Sequence, residues 1–180
     1  MRTCIFSHEG ISLRLLDADD LETVQRLRND FSTWIHLTDP KSVGPGGQKA
    51  WLESIGWKNG RMYFAAYDEQ NPFLGLVRMD ELDPQNRSLR VGLDVLPELR
   101  GKGHGTHVYA TLEAYAFDYL NTHRLWLLVL ESNDHARHLY DKAGFVLEGR
   151  QREAIFRGGR YVDYLSMSCL EGDYRKRISL

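Results

Sequence analysis

The chain has 180 residues, 42% hydrophobic and 27% charged, with 23 lysines and arginines against 25 aspartates and glutamates for a net charge of −2. That balance excludes a disordered or collagen-like chain and argues against nucleic acid as the main partner, since such domains run basic overall. The length predicts one domain over 1–180, which buries roughly 70% of its unfolded surface and needs no metal or disulfide. Cys4 and Cys169 lie at opposite ends of the chain, match no metal-ligand spacing and read as buried or idle thiols of a reducing compartment. The opening MRTCIFSHEG lacks an apolar stretch of signal-peptide length, and no run approaches the ~20 residues that cross a bilayer. The expected location is cytoplasmic, with no membrane partner.

Residues 11–16 read as a short strand. Asp17-Ala-Asp-Asp20 then supplies an N-cap and acidic first-turn charge for a helix to about Arg28. Pro40, Gly44, Pro45, Gly46 and Gly47 make 29–48 a loop with at most short helical pieces, followed by a helix over 48–55. The apolar runs 62–67, 73–79 and 88–96 are joined by short polar turns and closed by Pro97, which predicts an antiparallel meander. Val108, Leu112, Tyr115 and Tyr119 fall at helical spacing within 101–120, a long buried helix. A strand over 125–130 and a helix over 134–143 stopped by Gly144 come next. Further strands, 145–147 and 161–167, flank a turn at Gly158-Gly159. The basic tail 174–180 is expected to fray.

The informative turn is Arg100-Gly-Lys-Gly-His-Gly-Thr106, between a strand and a helix. Glycine permits positive φ and close approach to main-chain amides. The first turn of a helix carries unpaired N–H groups and about half a positive charge. Arg100 and Lys102 add cationic charge, so the segment reads as a diphosphate cradle. Its G-x-G-x-G spacing fits neither a Rossmann fingerprint nor a Walker loop.

About 28 residues further on, Asn133-Asp-His-Ala-Arg-His-Leu-Tyr-Asp-Lys-Ala-Gly-Phe145 supplies a second motif. With it the chain resembles the GNAT superfamily of acetyl-CoA-dependent N-acetyltransferases. Arg100 to Gly105 fits that family's Q/R-x-x-G-x-G/A loop, and 133–145 fits N-x-x-A-x-x-L-Y-x-K-x-G-F. Arg26-Leu-Arg-Asn-Asp30, Glu148-Gly149, Tyr161-Val-Asp163 and Met167 resemble the branch of ribosomal-protein N-terminal, spermidine and nucleotide-amino-sugar acetyltransferases. The resemblance covers a core of about 10–170 and implies an α+β fold: a mostly antiparallel, seven-stranded twisted sheet splayed in the middle, with about four helices on both faces. It implies transfer of acetyl from acetyl-CoA to a primary amine by direct attack, the acceptor being a protein N-terminus or an amino sugar. The alternatives are a GNAT-like binding module without turnover and a polyamine acetyltransferase. Family members often dimerise, so a homodimer is the assembly considered.

The resemblance also assigns residues. The pyrophosphate would lie on Arg100, Gly101, Lys102, Gly103, His104, Gly105 and Thr106. The pantetheine arm would pair with the backbone of Asp94, Val95 and Leu96, on a strand splayed after a bulge, with an N–H there polarising the thioester carbonyl. Asn133 would touch the cofactor, cap its own helix, or do both. Tyr140 would protonate the departing thiolate, the competing role being core packing. The base is less clearly marked. Leu128 and Arg90 stand where relatives carry acids, so Asp94, on the Arg90 and Gly92 face by period two, is the first alternative, as base or as plain edge carboxylate. Glu131 and Asp80 follow. Trp34 and His36 would line the acceptor mouth or pack beneath the loop. Arg90, at a usually acidic position, hints at an acceptor with a negative group and against polyamines; an exposed cross-strand arginine explains it equally well. Arg137 and Lys142 read as solvated helix-face charges.

Overall fold

The computed structural model describes residues 3–179; Met1, Arg2 and Leu180, the last residue of the predicted tail, lie outside the described residues. One eight-stranded sheet forms the frame, in the order β1-β2-β3-β4-β5-β6-β8-β7. Its strands are β1 (Cys4–His8), β2 (Ile11–Leu15), β3 (Arg61–Tyr67), β4 (Gly75–Asp83), β5 (Ser88–Val95), β6 (Arg124–Leu130), β7 (Val146–Arg157) and β8 (Arg160–Leu170). Every neighbouring pair is antiparallel except β5 with β6. The helices are α1 (Leu21–Asn29), α2 (Phe31–Trp34), α3 (Pro45–Glu53), α4 (His104–Ala114), α5 (Asp134–Lys142) and α6 (Glu171–Ile178).

The predicted class holds, with eight strands in place of seven. β1 escapes sequence reading because Cys-Ile-Phe-Ser-His is mostly exposed and carries no burial period. It is joined to β2 by Glu9 and Gly10, both at positive φ. β7 is much longer than the predicted 145–147, because most of its residues are solvent-facing and only the β8 ladder defines it. α3 begins three residues before the predicted Gln48, since Pro45 suits the first helical turn despite the glycines behind it. The predicted 101–120 helix starts at His104 and ends in a π turn over Tyr115–Tyr119.

The tail expectation is corrected. Residues 171–178 form α6, whose Tyr174 is buried and stacks on Phe117 at 4.8 Å. Arg177 reaches back to the buried Glu113 carboxylate at 2.5 Å and to the Ala143 carbonyl at the end of α5. Basic composition suggested solvation, but these side chains have specific anionic and carbonyl partners.

Period two divides the sheet into two faces. Phe64, Val77, Met79, Leu89, Val91, Leu125 and Leu127 pack with Val108 and Leu112 of α4 in the larger core. On the other face Ala65, Leu76 and Leu96 meet Val24 and Leu27 of α1. Each large apolar side chain so buried contributes about 1.5–3 kcal/mol. Arg14 and Asp20, both buried, form a bidentate pair at 2.6 and 2.7 Å that fixes the start of α1 against β2.

Candidate active site

β5 and β6 pair only at Ser88–Arg124, Leu89–Leu125 and Arg90–Trp126. Beyond that point β5 stays on β4 as far as Val95, while β6 follows β8 as far as Leu130. The sheet therefore opens between them, as the splay expectation required. The expected bulge lies on β4: the β4–β5 register shifts between Asp80 and Asp83, opposite Ser88–Arg90, and then runs unbroken from Asp80–Arg90 to Gly75–Val95, along the stretch where β5 leaves β6. The strands part because each is held by its other neighbour.

Main-chain direction selects among the backbone candidates. The Leu96 N–H donates to the Leu74 carbonyl at 3.0 Å, so Leu96 and Asp94 turn their main chains toward β4. Leu93 and Val95 then face the gap. The Val95 carbonyl accepts from Arg100 Nε at 3.0 Å, which leaves the Val95 N–H as the donor directed at the opening.

The glycine loop closes the same end of the gap. Gly101 and Gly103 adopt φ of 74° and 86°, and Gly103 immediately precedes α4. A Cβ on either would meet nothing within 4 Å, so the space over these amides is open. The first N–H groups of α4 have no intrahelical partner by geometry; that of Thr106 is taken by the Gly103 carbonyl at 3.1 Å. Lys102 and Thr106 are exposed, and His104 Nδ1 lies 3.9 Å from Asp68. The Arg100 guanidinium does not stand over the glycines. It donates to Ser32 Oγ at 2.7 Å and to Thr33 Oγ1, tying β5 to α2.

From the opposite wall, Asn133 caps α5, its Oδ1 accepting from the Ala136 N–H at 3.2 Å. The capping role is realised, and the Asn133 amide nitrogen remains a donor at the end of β6. Tyr140 is buried on α5, its ring 5.4 Å from Tyr109 and 5.9 Å from Phe145. Burial first, and then the charge of Asp94, push its phenol up to about 12, against the pull of Arg78 and the Tyr109 hydroxyl. Asp94, half-buried, is also raised above the usual carboxylate range by burial, opposed by Arg78, Arg100, Arg28 and His36. Asp94 and Tyr140 thus sense one another across the gap.

The remaining candidates scatter around this centre. Trp34 stacks on Phe31 at 5.9 Å. His36 shares a pocket with Ile35, Leu130, Ser132, Arg157 and Arg160, and burial lowers its pKa. Arg90 sits at the closed end of the gap, bonded to Glu81 at 2.6 Å and lying over the Trp126 ring at 5.5 Å. Glu131 is engaged by Arg150 at 2.5 Å, and Asp80 faces Arg78 at 3.5 Å. Arg78 and Tyr109 were not singled out from sequence. The signal for Arg78 was a lone charge inside the apolar run 73–79.

A splayed β5–β6 pair with an open glycine turn at its end defines an acyl-CoA-dependent transferase, and the chain belongs to the Acetyltransferase (GNAT) family, which it matches over residues 22–145. It is an acetyl-CoA-dependent N-acetyltransferase. The spermidine N(1)-acetyltransferase of Vibrio cholerae is 32% identical over 93% of this chain and 96% of its own length. A putative ribosomal N-acetyltransferase of Bacillus subtilis is 24% identical over 97% of this chain and 98% of its own. Among solved structures, the Vibrio cholerae spermidine N-acetyltransferase in complex with CoA and spermine superposes with a TM-score of 0.86 at 29% identity, covering 93% of this chain and 99% of that one. The open amides of the loop and the unpaired edge of β5 fit a diphosphate and an extended amide-bearing arm, which are the two parts of CoA. No group of residues suited to a metal ion is found among the described residues.

Proposed function

We propose that the chain, acting as one acetyltransferase domain, acetylates a primary amine in a ternary complex formed at the β5–β6 gap. The diphosphate lies on the main chain of 101–105, with Lys102, His104 and Thr106 beside it. The pantetheine arm runs along the gap-facing edge of Leu93 and Val95, and the Asn133 amide meets it from α5. The Val95 N–H donates to the thioester carbonyl, where an amide so placed is worth about 3 kcal/mol as the oxyanion develops. The amine nitrogen attacks the carbonyl carbon and its proton passes to Asp94, directly or through water. The carbon–sulfur bond then breaks, and Tyr140 protonates the thiolate. Trp34 and His36 flank the acceptor mouth. Holding both reactants in one gap supplies the orientation term, several kcal/mol of the barrier.

The observation that carries this reading is the convergence of the Val95 N–H, Asp94, Tyr140 and the glycine turn on the place where β5 and β6 part. A thiol-release assay with acetyl-CoA and an amine panel, run beside a CoA thermal shift, tests it. Release with at least one amine is expected. Stabilisation by CoA without release on any amine would identify a binding module instead.

A homodimer built on the β7 edge is the proposed assembly. Val146 and Leu147 on β7 are more than half exposed, as is the Phe156–Tyr161 pair across the β7–β8 turn. A Vibrio cholerae relative of TM-score 0.80 is dodecameric. Phe156→Glu should dissociate the dimer in light scattering. A cytoplasmic location is supported by both cysteines being free thiols, one exposed and one buried.

A further inference from the structure

We propose that the acceptor is a primary amine that also carries an anionic group, a carboxylate or a phosphate, and that Arg78 and Arg90 receive this group on the floor of the gap. The proposal rests on the N-acetyltransferase reading and adds the substrate class.

Arg78 and Asp80 on β4 share a sheet face with Arg90, Gly92 and Asp94 on β5, through the cross-strand pairs Arg78–Gly92 and Asp80–Arg90. Gly92 is a glycine because the arginine needs its space. A Cβ there would lie 2.5 Å from Arg78 Nη2 and 2.9 Å from its Cζ. The guanidinium therefore lies flat across β5, directed from β4 toward the gap. Arg90 Nε is buried with no hydrogen-bond partner among the described residues, and the buried Arg78 Nε faces Asp80 Oδ2 at 3.5 Å, an ion-pair contact that is not counted as a hydrogen bond. An orphaned buried N–H on a cation is costly, and an incoming oxyanion would satisfy it. The planar fork of arginine matches carboxylate and phosphate oxygens in pairs.

The surrounding charges agree. Asp94 is the carboxylate nearest the Val95 amide, and the groups acting on it are Arg78, Arg100, Arg28 and His36. Asp80, 3.5 Å from Arg78, offsets one of the two floor arginines, and Glu81 bonds Arg90. Glu81 offsets the other, so Arg28, Arg78, Arg90 and Arg100 face three acids, Asp80, Glu81 and Asp94, which leaves a net positive charge. A polyamine, wholly cationic, would meet repulsion where it needs carboxylates. A molecule with an amine at one end and an anion at the other matches the order Asp94, Arg78, Arg90 along the strand. Two residues separate Asp94 from the Arg78 level, about 7 Å at strand rise. That span suits the ε-amine and carboxylate of a basic amino acid, or the amine and phosphate of an amino-sugar phosphate.

Matched acceptors test the proposal: lysine against lysinamide, glucosamine 6-phosphate against glucosamine, and spermidine alone, each by thiol release. The anionic member of at least one pair should exceed its neutral counterpart and spermidine tenfold in kcat/KM, and the responding pair tells carboxylate from phosphate. Arg78→Glu and Arg90→Glu should lower that value at least tenfold and shift the ratio toward spermidine, with the CoA thermal shift unaltered. Gly92→Ala, which displaces the guanidinium without removing its charge, should lower it too and guards against misfolding of the charge reversals. Spermidine as the best acceptor of the unmodified protein, or equal values within both pairs, would overturn the proposal while leaving the transferase reading standing. Should no amine release thiol, that reading fails, and calorimetry of the CoA-loaded protein still decides this one. Heat with lysine or glucosamine 6-phosphate that vanishes in Arg78→Glu upholds the anion site, and no heat with either overturns it.

Discussion

A phenol pushed up to about 12 keeps its proton at any pH where an enzyme of this kind works, as the donor role proposed for Tyr140 requires. A leaving alkyl thiolate is a sufficiently strong base to take that proton, and the tyrosinate so formed sits within reach of the Arg78 charge. Tyr140→Phe keeps the packing on Tyr109 and Phe145 and removes only the hydroxyl. It should lower kcat at least tenfold with CoA affinity nearly unchanged, measured by steady-state kinetics and calorimetry; unaltered kcat would remove Tyr140 as donor. The base role proposed for Asp94 has the opposite requirement, since a carboxylate accepts a proton only when ionised. Its pKa is raised, so kcat/KM should fall with falling pH at a higher pH than an ordinary aspartate would give. Asp94→Asn should lower kcat/KM at least tenfold and abolish that acid limb in a pH profile. In the loop, Gly103→Val puts a branched side chain where φ is 86° and the amides must be approached. Loss of the CoA thermal shift is expected.

Among the elements, α6 carries the least expected role. Glu113 on α4 is buried, and burial outweighs the Arg177 partner to push its carboxyl from 4.5 up to about 7. A folded-state pKa above the unfolded one favours the protonated form. The contribution to stability is therefore complete below about pH 4.5 and is lost as pH rises through 7. Glu113→Gln should remove this pH dependence, on the order of 2–3 kcal/mol between pH 5 and 8 in denaturant unfolding. Arg177→Met leaves the carboxylate without its counter-charge and should cost about 3–5 kcal/mol at pH 8, where Glu113 is ionised. Sequence reading missed α6 because charge composition is visible in a chain, while the acid it pairs with, 64 residues earlier, is not. β7 was cut short for a related reason, its solvent-facing residues giving no alternation to detect.

For the molecule as a whole, the meander 62–96 and the two-motif region were legible because each is local: alternation, glycine spacing and helix period lie within a few residues of one another, whereas the splay was implied by the family resemblance and not by any local pattern. What lay beyond reach was which strand edge faces the gap, since that follows from a single bond between Leu96 and Leu74. The same holds for Arg78, whose place depends on Gly92 one strand away. One connection joins the two halves of the site in a way that bears on kinetics. Arg100 leaves the chain one residue before the glycines, yet its guanidinium ends on the hydroxyls of Ser32 and Thr33. A settling of that turn onto CoA would be passed to α2 through these bonds, so donor before amine is the expected order of addition. Product-inhibition patterns should show CoA competing with acetyl-CoA and not with the amine, and Arg100→Met, which cuts the tether, should let either substrate enter first.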